Sequence, residues 1–504
     1  MNTFMNGLKN ATNVTLTENG AITHKTTRSD LLDMFAMGAA MRNRSESDVI
    51  LMWRKAYAEN PVYALKCLFY IRDVRGGQGE RRFFKVCLKD LAKQDPEAVI
   101  RNLKNIPEFG RWDDLYVFVG TPVETDALQL IKEQLELDVQ CKTPSLLAKW
   151  MKSENTSSKE SCRLGNITRK YLGMNHKQYR KTLSILRERI NVLERLMSEN
   201  RWDEIEFDKI PSKAGMKYKN AFARRDIIKA KYEAFAKDET KKVNAKTLYP
   251  YECVAEAQNA MHKGYSYWYG GREDVALDDV NRLMVNKYWD NLADYFNEKT
   301  FNGMAIVDTS GSMWGSAASA PINVAISLGM YCASKAKGPF ANHFITFSSQ
   351  PALMEVEGVD FCDKVVRMLK APWGGSTNVE AAFDLMLNTA IQNHCAQADL
   401  PENLIIISDM EFNHCVTSSS HRVTAQDTLF ETMSNKWAAY GYKMPHLIFW
   451  NVDARQNNIP MIGNGPVSYV SGFSPSIFET IMSGKTGYEL MMEKLNSERY
   501  SVVE

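Results

Sequence analysis

Asp308, Ser310 and Ser312 alternate along the chain directly after the apolar run Met304–Val307. A buried strand that ends in carboxylate and hydroxyl oxygens suits a small hard cation such as Mg²⁺, which takes oxygen ligands and keeps several of its own waters. Two later loops offer the same chemistry. Trp373-Gly374-Gly375-Ser376-Thr377-Asn378 is a glycine-rich turn ahead of a helix, with the Thr377 hydroxyl as a donor. Ser408-Asp409-Met410-Glu411 follows the apolar run Leu404–Ile407, so Asp409 also stands just past a strand. Asp-x-Ser-x-Ser alone could equally cap a helix. Three such loops in this order point to a divalent cation, and to binding rather than catalysis. His343, His394, His414 and His446 show no metal-ligand spacing and no triad order. A nuclease would need clustered carboxylates holding its metals, whereas this set is rich in hydroxyls. The chain is therefore not expected to be an enzyme.

The elements that must position these loops begin near residue 300. Apolar strand-like runs fall at Met304–Val307, His343–Phe347, Leu404–Ile407 and His446–Trp450, with a weaker one at Val467–Val470. Helical stretches are predicted between them, at about 318–336, 359–369, 378–394, 424–440 and 475–483. Short buried strands alternating with helices imply a doubly wound α/β domain with a mostly parallel sheet covered on both faces. Ligands of such sheets bind at the carboxyl ends of strands, at a topological switch point, where Asp308 and Asp409 are predicted to lie.

Before residue 300 the pattern is helical. Residues 1–45 are polar and turn-rich and read as a loosely held arm, with a helical domain over 46–299 and the α/β domain over 300–504. Phe83, Phe84, Cys87, Leu88 and Leu91 share a helix face, Asp95-Pro96-Glu97 reads as a helix start, and Ile106-Pro107 as a break. Leu183, Leu186, Ile190, Leu193 and Leu196 predict one long helix. Arg111-Trp112-Asp113-Asp114-Leu115 is echoed by Arg201-Trp202-Asp203-Glu204-Ile205, which suits stacked helical pairs. Arg75-Gly76-Gly77-Gln78-Gly79-Glu80-Arg81-Arg82 lacks the Gly-Lys-Ser/Thr of a P-loop and reads as a turn that could touch phosphate.

The net charge of +2 conceals an asymmetry, since residues 141–250 hold 26 Lys+Arg against 13 Asp+Glu and residues 301–504 hold 12 against 19. The basic middle carries Lys152, Arg163, Arg169, Lys170, Lys177, Arg180, Lys181, Arg187, Arg189, Lys213, Lys217, Lys219, Arg224 and Arg225. Trp150, Tyr171, Tyr179, Tyr218 and Phe222 interleave with them. Cations neutralise phosphates and aromatics stack on unpaired bases, so this segment is the candidate RNA surface. A solvated helix face would hold many of the same charges.

The three-loop constellation resembles the metal-ion-dependent adhesion site (MIDAS) of von Willebrand factor A (vWA) domains, over roughly 300–485. The resemblance implies that Ser310, Ser312 and Thr377 coordinate Mg²⁺ directly, that Asp308 and Asp409 act directly or through water, and that a partner's carboxylate completes the shell. In the N-terminal half, Phe69-Tyr70-Ile71-Arg72-Asp73, Gly76-Gly77-Gln78-Gly79-Glu80-Arg81 and Ile106-Pro107-Glu108-Phe109-Gly110-Arg111-Trp112-Asp113-Asp114-Leu115 resemble the helical-repeat module of Ro-like (TROVE) proteins. Together with Ser145–Trp150 and Leu186–Met197 they resemble the DUF2828 family more closely. What these resemblances imply is an all-α, HEAT-like solenoid or ring closed by a doubly wound, Rossmann-like vWA domain, with structured RNA on the basic helices.

Nine scattered cysteines without a C-x-x-C pair suit free thiols in a reducing compartment. The N-terminus lacks an apolar leader and no run is long enough to span a membrane, so a cytoplasmic location is expected. The expectations are thus an RNA-binding protein with a Mg²⁺ site or, alternatively, a Mg²⁺-dependent adaptor that captures an acidic side chain of a protein partner.

Overall fold

The computed structural model describes residues 3–190, 192–262, 279–296, 301–315, 317–347, 350–369, 377–413, 429–462, 467–482 and 484–504. Trp373–Ser376 of the second candidate loop, and His414, lie outside the described residues. The chain forms two compact units that do not follow the boundaries read from the sequence. The first comprises residues 1–61 with 245–496, and the second residues 62–244 with 497–504.

The first unit opens with a hairpin, β1 (Val14–Leu16) against β2 (Ile22–His24). Its turn is closed by Thr17 N–H to the Ala21 carbonyl at 2.9 Å and Gly20 N–H to the Thr17 carbonyl at 3.0 Å. Gly20 sits at φ 84°, which its missing Cβ allows. The segment expected as a loose arm is thus ordered. Ser29 caps the helix Asp30–Met37, accepting from Leu32 N–H at 3.1 Å. Leu31, Met34, Phe35 and Met37 on that helix are buried.

The sheet follows: β3 (Gly303–Asp308), β4 (His343–Phe347), β5 (Ala352–Glu355), β6 (Asn403–Ser408), β7 (His446–Asn451) and β8 (Val467–Ser471). Their order is β5-β4-β3-β6-β7-β8, with every pairing parallel except that of β5 with β4. All five strands expected from apolar runs are present. β5 was not foreseen, because its half-exposed edge pattern leaves no apolar run. β3 is buried at every position, as a strand covered on both faces must be. The helix Pro321–Lys335 packs hard against it: a Cβ on Gly329 would lie 2.6 Å from Val307 Cγ2. The chain leaves β3 toward β4 on one side and later returns to β6 on the other. The carboxyl ends of β3 and β6 therefore flank the switch point.

The second unit is helical. Asp95 caps the helix Pro96–Asn102. The break expected at Ile106-Pro107 falls earlier, because Pro107 sits in the first turn of Asn105–Phe109, where its missing N–H costs nothing. The long helix expected through Leu196 is two, His176–Arg189 and Leu193–Ser198. The glycine turn uses its N–H groups internally: Gln78 to the Tyr70 carbonyl, Gly79 to that of Asp73 and Glu80 to that of Ile71. A Cβ on Gly77 would meet the Tyr70 carbonyl at 2.0 Å. The turn is closed by packing and is no open phosphate cradle.

Both Arg-Trp-Asp echoes form 3₁₀ turns, Trp112–Phe118 and Trp202–Glu204, but they do different work. In the first, Asp114 is fully buried and accepts from Arg72 Nε at 2.9 Å and Nη2 at 2.6 Å, and from Arg81 Nε at 2.9 Å. In the second, Asp203 and Glu204 are exposed. Among the described residues no helix is long and apolar enough to cross a membrane, and all eight cysteines are free thiols.

Candidate functional site

Asp308 ends β3 and is fully buried, with Thr309 and Ser310 behind it almost as deep. It accepts Ser310 N–H at 2.9 Å on one oxygen and the Ser408 hydroxyl at 2.5 Å on the other, so it clamps the first loop to the end of β6. Ser310 Oγ and Ser312 Oγ are 3.2 Å apart, and the nearby Ser312 hydroxyl favours the ionised form of Asp409. From the second loop, Thr377 is buried and its carbonyl accepts Asn413 N–H at 3.1 Å. The structure thus links all three loops that the sequence singled out, with Asp308, Ser310, Ser312, Thr377 and Asp409 at the carboxyl edge of the sheet.

The third loop is held in an unusual shape. Met410, buried between Asp409 and Glu411, has φ 66°. A non-glycine residue there is uncommon, and such strain gathers at functional sites. Its N–H donates to the Ser408 hydroxyl at 3.0 Å, and Glu411 N–H donates to Asp409 Oδ1 at 3.1 Å.

Glu411, Asn458, Arg455 and Asn19 also belong to the site, beyond the residues expected from sequence. Glu411 is fully buried and accepts Asn458 Nδ2 at 2.8 Å on one oxygen and Glu18 N–H at 2.7 Å on the other. Arg455 Nη1 lies 3.5 Å from Asp409 Oδ2 and its Nη2 meets Glu18. Asn19 Nδ2 reaches the Glu411 carbonyl at 2.5 Å and Thr377 Oγ1 at 3.4 Å. A signal for Glu411 existed in its Asp-x-Glu spacing after a strand. The others come from remote parts of the chain and carried none.

The electrostatics suit a cation. Burial raises the Asp308 carboxyl above its usual range, and the neighbouring Asp409 charge raises it further. Asp409 is raised by burial as well. Burial pushes Glu411 up to about 7 despite the Glu18 N–H, with Asp409 and Glu18 adding repulsion. Asp409 thus faces the charges of two other buried carboxyls, Asp308 and Glu411, and is contacted by the part-exposed Arg455 guanidinium, an imbalance that a divalent cation would relieve. Among the described residues no group of three or more His, Cys, Asp and Glu side chains is placed to hold a metal by itself. A cation here would depend on the hydroxyls, and the mixed donor set fits hard Mg²⁺.

A pH dependence follows. Carboxyls raised in the fold keep protons that the unfolded chain has already released, so their contribution is present at low pH and lost as pH rises through the window from about 4 to about 7. A Mg²⁺ ion bound at these oxygens would compete with those protons and stabilise more at high pH. At a hundred times its dissociation constant it should raise the melting temperature by about 5 °C at pH 8 and by much less at pH 5. Scanning fluorimetry with Mg²⁺ or EDTA checks this, and an equal shift at both pH values would contradict it.

The fourteen candidate RNA-binding cations divide, and the exposed Arg189 donates to the carbonyls of Val139 and Cys141. Lys152 pairs with Asp113 at 3.1 Å, Arg169 with Glu154 at 3.1 Å, and Lys219 is buried. Arg187 donates to the carbonyls of Ala148 and Met151 and to Ser153. These four are taken up by internal contacts. Arg163 is exposed and paired with Glu160. Lys177, Arg180 and Lys181 are exposed at i, i+3 and i+4 of the helix His176–Arg189, on one face. Lys170, Lys213, Lys217, Arg224 and Arg225 are exposed on neighbouring stretches, with Arg225 stacked over Trp202.

Residues 302–502, which contain the sheet and all three loops, match a domain of unknown function, DUF7788. An uncharacterised protein of Acanthamoeba polyphaga mimivirus is 31% identical over 519 residues, covering 94% of this chain and 85% of its own. Among solved structures, the crystal structure of the Deinococcus radiodurans Ro (Rsr) protein is similar over 90% of this chain and 93% of that one. Its TM-score is 0.38 at 13% identity, too low to carry an argument. Residues 17–170 and 137–300 match the domain of unknown function DUF2828, and the chain belongs to that family.

Proposed function

We propose that this chain is a non-enzymatic binding protein whose first unit captures a carboxylate-bearing protein partner through Mg²⁺, as a vWA domain does through its MIDAS. One observation carries this reading: Asp308, Ser310, Ser312, Thr377 and Asp409 come from three loops that the Ser408–Asp308 and Asn413–Thr377 hydrogen bonds link at the switch point of a parallel sheet. Ser310, Ser312 and Thr377 would hold the cation directly, and Asp308 and Asp409 directly or through water. The cation would supply an electrophilic position for an incoming carboxylate. The residues of the chain fix the loops, exclude water from Asp308 and set the charge. The free thiols of the eight described cysteines suit a cytoplasmic setting.

A second reading gives the helical unit an RNA partner. It is favoured by the exposed Lys177, Arg180 and Lys181 face, and weakened by the four cations spent internally.

One experiment separates the two: a native pull-down with the full chain, with mass spectrometry and RNA sequencing of the same sample. A protein partner released by EDTA is the expected result. RNA whose retention falls steeply between 50 and 200 mM salt, as phosphate contacts require, and which EDTA leaves bound, would favour the second reading over the first.

A further inference from the structure

We propose that the hairpin turn Thr17-Glu18-Asn19-Gly20 is a ligand for the metal face supplied by the chain itself, with Glu18 as the carboxylate that completes the Mg²⁺ shell. This rests on the metal reading above and extends it to a residue some 290 positions from the nearest candidate ligand loop.

The turn is fastened across two of the three loops. Thr17 Oγ1 donates to the Phe412 carbonyl at 2.6 Å and Glu18 N–H to Glu411 at 2.7 Å. Asn19 Nδ2 bridges the Glu411 carbonyl and Thr377 Oγ1. Gly20 makes an antiparallel bridge with Asn413. On the far strand of the hairpin, His24 and Ile459 exchange backbone hydrogen bonds at 3.0 and 2.9 Å. A hairpin serving only to cover the core would need β1 and β2 there, but not a polar tip placed on Thr377 and Glu411.

Glu18 itself pairs with Arg455 Nη2, while Arg455 Nη1 lies 3.5 Å from Asp409. The Glu18 and Asp409 carboxylates therefore meet the two ends of one guanidinium. Arg455 bridges them with a single charge and long geometry on the Asp409 side. A divalent cation held by Ser310, Ser312 and Thr377 offers twice the charge and prefers oxygen ligands. The Glu18 backbone is pinned by its N–H on Glu411, and in this proposal its side chain exchanges Arg455 for the cation. Tethering also gives it a high effective concentration over any free carboxylate. Glu18 and Arg455 are each about one-third exposed, at 37% and 34%, so an incoming carboxylate can reach and displace Glu18. The turn thereby sets a threshold that a partner must exceed.

The test is Mn²⁺ binding, read by electron paramagnetic resonance on the full chain. The samples are wild type, Asp308→Ala and Glu18→Gln, with and without added acetate. Glu18→Gln keeps the turn's backbone hydrogen bonds and removes the charge. The expected result is Mn²⁺ affinity weakened about tenfold in Glu18→Gln, recovered in that variant by acetate, with no acetate effect on wild type. If Glu18→Gln binds Mn²⁺ like wild type, the inference fails while the metal reading stands. Weakened binding that acetate does not restore assigns Glu18 a merely structural role and also overturns the inference. If wild type and Asp308→Ala bind equally poorly, the metal reading itself fails.

Discussion

Asp308→Ala is expected to weaken Mg²⁺ binding by the full chain by at least on the order of 100-fold, since even outer residues of metal sites cost 10–100-fold when removed. Asp308 is the joint of the site. Its two oxygens hold Ser310 N–H and the Ser408 hydroxyl, so its loss frees the hydroxyl loop after β3 from the end of β6. The fold should survive. A fully buried carboxylate beside Asp409 is strained by its own charge, and removing it offsets the cost of leaving the Ser408 hydroxyl without its acceptor. Asp308→Asn keeps the shape and loses the charge, and should fall between the two. Titration calorimetry reads the affinity, and a loss of less than about threefold in Asp308→Ala would contradict the role assigned here.

Asp114→Ala is expected to destabilise the second unit by about 3–5 kcal/mol, the cost of leaving a buried charge uncompensated. The Arg72 side chain is 1% exposed, and its Nε and Nη2 both donate to Asp114 Oδ2. Arg81 and Lys85 also turn toward Asp114, at 2.9 and 3.4 Å. Removing that carboxylate takes the acceptor from Arg72 and Lys85 and leaves Arg81 with Asp113, to which it donates at 2.6 Å. Because whole domains are stable by only about 5–15 kcal/mol, the loss should appear as faster amide hydrogen exchange across residues 62–118, with the sheet of the first unit unaffected. Unchanged exchange there would show that the motif is no structural centre. This also separates the two Arg-Trp-Asp echoes, since Asp203 is exposed and its replacement by Ala should leave exchange as it was.

The parallel sheet was legible because strands covered on both faces carry continuous apolar runs, as β3, β6 and β7 do between their ends. The clustering of Asp308 and Asp409 was legible for a related reason: both stand at or directly after the ends of such strands, where parallel topology gathers polar ends. The hairpin was not legible. Its strands are three residues each, too short to show alternation, and its stability comes from Asn413 and Ile459, roughly 400 residues away. For the same reason Glu18 and Asn19 could not be assigned to the site, although Asn19-Gly20 is a turn signal. The basic segment shows a different limit. Composition counts cations but not their acceptors, and the carbonyls that take Arg187 lie nearly forty residues upstream. Nor could spacing place residues 497–504, which return to the helical unit through Arg499 and Tyr500 on the buried Asp73.

The most direct test is a Mn²⁺-soaked crystal of the full chain, read by anomalous scattering at the manganese edge. The expected result is one strong peak in direct contact with the hydroxyls of Ser310, Ser312 and Thr377, with Asp308 and Asp409 beside it directly or through water. Absence of a peak at this edge of the sheet, or a peak held by other residues, would contradict the account.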